Sequence, residues 1–192
     1  ERSKLYLSDS RISHSTLCLR VNRAVDTKIF NNQFVNDLAD TWNYVMGLYL
    51  DDSGNKSSKV EIKDNIFNTY HQLFWLDNNS VDSYPDTIIF SNNQISTKGN
   101  AYSYISTRYD NYTILKNNYF NSSNYYAYML SFQNNDHSIF RNNLIKNYYL
   151  PFRVQSNAVS IIENNILYDN KYVFDSEGGG ISTTIQNNLF YK

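Results

Sequence analysis

Apolar and polar positions along this 192-residue chain fall into one phrase written seven times: apolar, any, Asn (or Asp), Asn, any, apolar. Its clearest copies are Ile162-Glu163-Asn164-Asn165-Ile166-Leu167 and Ile185-Gln186-Asn187-Asn188-Leu189-Phe190. The leading apolar slot holds Ile29, Ile62, Phe90, Leu115, Phe140, Ile162 and Ile185, and the trailing one Phe34, Phe67, Ile95, Phe120, Ile145, Leu167 and Phe190. The second Asn is Asn32, Asn65, Asn93, Asn118, Asn143, Asn165 or Asn188, so the intervals are 33, 28, 25, 25, 22 and 23 residues. A phrase recurring at such intervals marks a solenoid in which each repeat is one coil. Within the phrase the apolar residues follow period 2 rather than 3.6, so the flanks are strands. Asn tolerates the left-handed backbone conformation because its short amide bonds locally, so each Asn pair reads as a corner between two strands.

After each corner the pattern predicts a further extended run: 44–50, 73–77, 104–108, 128–133, 151–155 and 172–177. That makes about three strands per coil and about seven coils. At roughly 4.8 Å per coil the rod is on the order of 35 Å long. Residues 1–22 hold two extended stretches, Lys4–Leu7 and Leu17–Val21, without the Asn phrase, and are expected to form an incomplete first coil. The polar stretches 51–59 and 77–86 and the run Gly178-Gly179-Gly180 are expected loops. No interior stretch reads as a linker, so residues 1–192 are expected to be one domain. Neither end carries a recognisable cap, which suggests a fragment of a longer protein or ends covered by a partner.

The Asn-Asn corners, coil length and strand pattern over 27–190 resemble the right-handed parallel β-helix of the pectate-lyase-like superfamily. The resemblance implies an all-β solenoid with a ladder of stacked Asn at one corner. It leaves function open, because the superfamily includes polysaccharide lyases, glycoside hydrolases, tailspikes and adhesins.

Composition narrows the classes. A net charge of -1 gives no nucleic-acid footprint, and no apolar run is long enough to span a bilayer. Aromatics at 16% and regular apolar slots can bury a core, which sets the chain apart from disordered Asn-rich sequences. Cys18 is the only cysteine and reads as a buried bystander.

The superfamily binds polysaccharide along the exposed face of its first sheet, and alternation nominates that face here. With Leu48, Leu50, Phe74, Leu76, Ile105, Phe152 and Val154 inward, the outward residues include Tyr49, Asp51, Trp75, Asp77, Arg108 and Arg153. Exposed aromatic rings offer an apolar face to sugar C–H groups, while carboxylate and guanidinium groups meet hydroxyls. Asp51 and Asp77 suit either an acid/base pair or calcium, but two acids specify neither, and a solvated face is the plainer reading. Arg108 and Arg153 suit uronate carboxylates. No catalytic motif of the lyases is matched, no cofactor is indicated beyond the calcium that Asp51 and Asp77 suit, and no metal-ligand spacing occurs among His14, His71 and His137. Tyr102, Tyr104, Tyr109, Tyr112, Tyr125, Tyr126, Tyr128, Tyr148 and Tyr149 crowd the middle coils, a strip that suits a glycan or a covering partner.

Three functions follow. The preferred expectation is an extracellular or cell-surface polysaccharide-binding β-helix, adhesin-like or the recognition module of a larger protein. The alternatives are a polysaccharide lyase or glycoside hydrolase using the same face, and a structural rod of a phage fibre or surface assembly. The partners expected are polysaccharide and a second copy or flanking domain over the ends and Tyr strip.

Overall fold

The computed structural model of the chain describes residues 4–13, 17–22, 26–35, 46–51, 59–69, 72–77, 87–98, 105–108, 112–123, 128–133, 137–155, 159–178, 180 and 182–192; for 17, 22, 46–51, 72–77, 106–108, 128–133 and 155 it describes the backbone alone. Every regular element among these residues is a strand, and no helix long and apolar enough to cross a membrane occurs among them.

The strands stack into three parallel sheets. Sheet A runs β1 (Leu5–Ser8), β4 (Thr27–Phe30), β7 (Lys59–Lys63), β10 (Thr87–Ser91), β13 (Tyr112–Lys116), β16 (His137–Arg141), β19 (Val159–Glu163), β22 (Ser182–Gln186). Sheet B runs β2 (Arg11–Ser13), β5 (Gln33–Val35), β8 (Ile66–Thr69), β11 (Gln94–Thr97), β14 (Tyr119–Ser122), β17 (Leu144–Lys146), β20 (Ile166–Tyr168), β23 (Leu189–Tyr191). Sheet C runs β3 (Leu17–Asn22), β6 (Met46–Asp51), β9 (Gln72–Asp77), β12 (Ile105–Arg108), β15 (Tyr128–Gln133), β18 (Leu150–Gln155), β21 (Phe174–Glu177). Each strand pairs with its counterpart one coil away, so the chain is a parallel β-solenoid.

The Asn phrase is the A-to-B corner. Its first slot takes positive φ throughout: Asn31, Asp64, Asn92, Asn117, Asn142, Asn164 and Asn187 lie between 54° and 58°. The second Asn turns inward and is buried from Asn32 to Asn165. Each of these amides links three coils. The Asn118 amide donates to the Phe90 carbonyl in the coil before (2.9 Å) and to Asn143 Oδ1 in the coil after (3.0 Å). Its own Oδ1 accepts from the backbone N–H of Asn93 (2.9 Å) and from the Asn93 amide (3.1 Å). The same set repeats along the rod, so corner backbone groups that the strands leave unpaired find partners away from water.

The first coil supplies a strand to each of the three sheets, contrary to expectation. Leu7-Ser8-Asp9-Ser10-Arg11-Ile12 is an eighth phrase with Ser in the inner slot. Asp9 has φ 52°, and the Ser10 N–H donates to Asn32 Oδ1 at 3.0 Å. Ser keeps the backbone half of the ladder and has no amide to continue it, so a search for paired Asn passes over it.

Inside, the apolar slots of successive phrases meet. Phe34 and Phe67 stack with centroids 4.8 Å apart, Phe67 and Phe90 at 5.9 Å, and Phe90 and Phe120 at 6.3 Å. All four rings are fully buried. Phe34 and Phe67 share a sheet B column, whereas Phe90 of sheet A packs between Phe67 and Phe120 of sheet B, so the rings interleave across the core. Cys18 is partly buried against this core, and desolvation pushes its thiol up to about 11, which leaves it unreactive at neutral pH.

Candidate functional site

Sheet C carries the residues nominated as a binding face. Its register alternates buried and solvent-facing columns. The inner columns contain Val21, Ile105, Phe152 and Val154, all buried as alternation requires. The column between them runs unbroken through Arg20, Tyr49, Trp75, Ser106, Ser131, Arg153 and Asp175. Arg20 and Asp175 of this column are exposed and Arg153 is half-buried.

Tyr49 on β6 is directly opposite Trp75 on β9, and Asp51 is directly opposite Asp77. Asp51 also pairs in register with Asn22, while Arg108 pairs with Gln133. The predicted residues thus divide. Tyr49, Asp51, Trp75 and Asp77 share two adjacent strands, with Arg108 on the next strand. Arg153 lies further along, with Ser106 and Ser131 between it and Trp75. Three strand spacings separate Trp75 from Arg153, about 14 Å.

Arg153 already has partners. Its guanidinium ion-pairs with Glu177 and lies 3.9 Å from Asp175 Oδ2, both on β21 of the next coil. An incoming uronate would compete with these carboxylates, so Arg153 is a weaker anion receptor than its position suggested. Among the described residues no group of three or more His, Cys, Asp and Glu gathers, and Asp51 and Asp77 are described by backbone alone.

The tyrosine strip is rearranged from its expectation. Tyr148 is fully buried, its hydroxyl 3.4 Å from Thr97 Oγ1. Tyr112 is exposed on sheet A, stacked on His137 at 4.8 Å. Tyr149 lies at the B-to-C corner, edge-on to Tyr172 at 5.1 Å. Tyr102, Tyr104, Tyr109, Tyr125 and Tyr126 lie outside the described residues, and Tyr128 is described by backbone alone.

Sequence reasoning passed over Tyr168, Tyr172, Lys146 and Lys171, which surround that same corner. The signal was available: Asp169-Asn170 follows Asn164-Asn165 by five residues and makes a second corner of the same kind. Asp169 has φ 50° and Asn147, one coil earlier, φ 65°. Asn170 accepts from the Tyr148 N–H at 2.9 Å and donates to the Ile145 carbonyl at 3.0 Å, repeating the ladder of the main corner.

No family model, curated protein or solved structure matches the chain.

Proposed function

We propose that this chain is an extracellular polysaccharide-binding β-helix of the pectate-lyase-like type, adhesin-like or the recognition module of a larger protein. The supporting observation is the sheet C register: an aromatic pair, Tyr49 and Trp75, directly opposite each other one coil apart in the column that also contains exposed Arg20 and Asp175, with Asp51 and Asp77 paired two residues on. Parallel stacking holds such residues on a rigid, nearly flat surface, so little conformational entropy is lost when an extended glycan is bound. Aromatic faces take the sugar rings and the carboxylates take their hydroxyls.

The test is retention on a panel of soluble and insoluble polysaccharides. The wild-type chain should be retained by at least one polymer, and Trp75→Ala should lower that affinity about tenfold without changing the circular dichroism spectrum. Absence of retention on the whole panel, or unchanged affinity in Trp75→Ala, overturns the reading. The Asp51–Asp77 pairing also favours a second reading, glycoside cleavage, because adjacent carboxylates about 5 Å apart suit a retaining mechanism. Released reducing ends, abolished in Asp77→Asn, would establish it; intact polymer after prolonged incubation removes it.

A further inference from the structure

We infer that the B-to-C corner of the last coils is a second glycan site, selective for sugars that carry an anionic group. It lies away from sheet C's aromatic pair and uses none of its residues. The proposal shares with the preceding one only the view that the chain binds glycans.

The corner is built rigidly. Besides the Asn170 bridge, the Lys171 N–H donates to the Tyr148 carbonyl at 3.0 Å and the Tyr172 N–H to the Tyr149 carbonyl at 2.9 Å. Two successive coils therefore present Tyr149 and Tyr172 on a backbone whose polar groups are engaged. The Lys171 ammonium is set between the rings, 4.8 Å from the Tyr149 centroid and 5.4 Å from that of Tyr172. Across the corner Lys146 lies 5.9 Å from the Tyr168 ring. The pattern of ring plus ammonium thus occurs twice, on either side of one turn.

Tyr168, Lys171 and Tyr172 are exposed on the outside of the turn. The corner is closed from inside by Tyr148, while Tyr168 and Tyr172 are 46% and 49% exposed. Exposed rings held on a rigid turn offer flat apolar faces at little entropic cost, which suits the C–H face of a pyranose. An ammonium beside each face selects for charge, since a carboxylate or sulfate on the sugar would sit against Lys171 or Lys146. Those two lysines outnumber the single carboxylate of the turn, Asp169. Two cations are too few for a nucleic-acid backbone, and the aromatic faces would be unused by a purely acidic peptide.

The experiment is affinity electrophoresis of the whole chain in gels containing polygalacturonate, its carboxyl-reduced neutral counterpart, or dextran sulfate, with polyglutamate as competitor. Wild type should be retarded by polygalacturonate or dextran sulfate at least about fivefold more than by the neutral polymer, and which of the two identifies the anion. Lys171→Gln/Tyr172→Ala should lose that preference, and Lys171→Gln alone should lose most of it without touching any ring. Trp75→Ala should keep it, so loss of the sheet C site and loss of this one are separately visible. Equal retardation by charged and neutral polymers, an unchanged Lys171→Gln variant, or full displacement by polyglutamate would each overturn the proposal.

Discussion

At the scale of the residue, the two Asn of each phrase have different work, and substitution should separate them. Asn118 is buried and takes part in bonds to Asn93, Phe90 and Asn143. Asn118→Ala leaves the buried Asn93 N–H and Phe90 carbonyl without those partners, each costing about 1–3 kcal/mol. Its neighbour Asn117 is exposed at φ 56°, and its side-chain amide donates a long 3.3 Å bond to Asn92 Oδ1. Asn117→Gly should change stability by a few tenths of a kcal/mol, because glycine takes positive φ freely, whereas Asn117→Val should cost about 1–2 kcal/mol. Denaturant unfolding of the three variants checks the order: Asn118→Ala lowest, then Asn117→Val, with Asn117→Gly near wild type. An Asn117→Gly protein as unstable as Asn118→Ala would mean that the outer amide, rather than its backbone angle, is what the corner requires.

At the scale of the element, the first coil offers the converse change. Ser10 donates its hydroxyl to the Ser8 carbonyl at 2.9 Å, the bond that the Asn32 amide makes to the Phe30 carbonyl. Ser10→Asn would keep that bond and add one from its amide to Asn32 Oδ1, as Asn32 does to Asn65 at 3.1 Å. The expected gain is about 0.5–1.5 kcal/mol, read as a higher melting temperature. A lower one would show that the ladder cannot be extended into the first coil. The same coil shows how far the fold was legible. Period 2 and the Asn pairs located the sheet A and sheet B strands of seven coils, because those columns are buried and chemically uniform. The eighth phrase was hidden by a single Ser, and the B-to-C corner by its mixed contents, Asn147-Tyr148 in one coil and Asp169-Asn170 in the next. Alternation also placed Ile105, Phe152 and Val154 of sheet C inside, where all three are buried. It could not foresee that Glu177 engages Arg153, because that contact joins adjacent coils and depends on register.

At the scale of the whole molecule, electrostatics and repetition give separate expectations. Asp9 is held below the ordinary carboxylate range by a hydrogen bond from Asn31, Asp26 by Lys4, Glu61 by Lys59, and Glu163 by Gln186 and then Arg141. Lowered folded values mean that these groups stabilise the fold above the unfolded carboxylate range and lose that contribution as they protonate. Melting temperature should therefore be flat from pH 7 to about 5 and fall below about pH 4, a fall that Glu163→Gln makes shallower. Repetition makes the rod nearly one-dimensional, each coil resting on its neighbours. Deleting residues 142–163 joins Arg141 to Asn164 and removes one 22-residue coil while leaving every column in phase. The Asn118 amide then meets Asn165, and Phe140 is followed by the intact phrase ending at Leu167. Deleting Asn142 alone removes one residue instead of 22 but deprives the corner of its positive-φ residue and shifts the strand that follows to the opposite face. The coil deletion should keep a cooperative β-type melt at a lower temperature, and the single deletion should lose more. The shortened chain lacks Lys146 and Tyr149 yet retains Tyr49 and Trp75, so it should lose the preference for anionic sugar and keep sheet C binding. A shortened chain that folds cooperatively and still prefers the charged polymer would show that the selectivity does not need Lys146 and Tyr149.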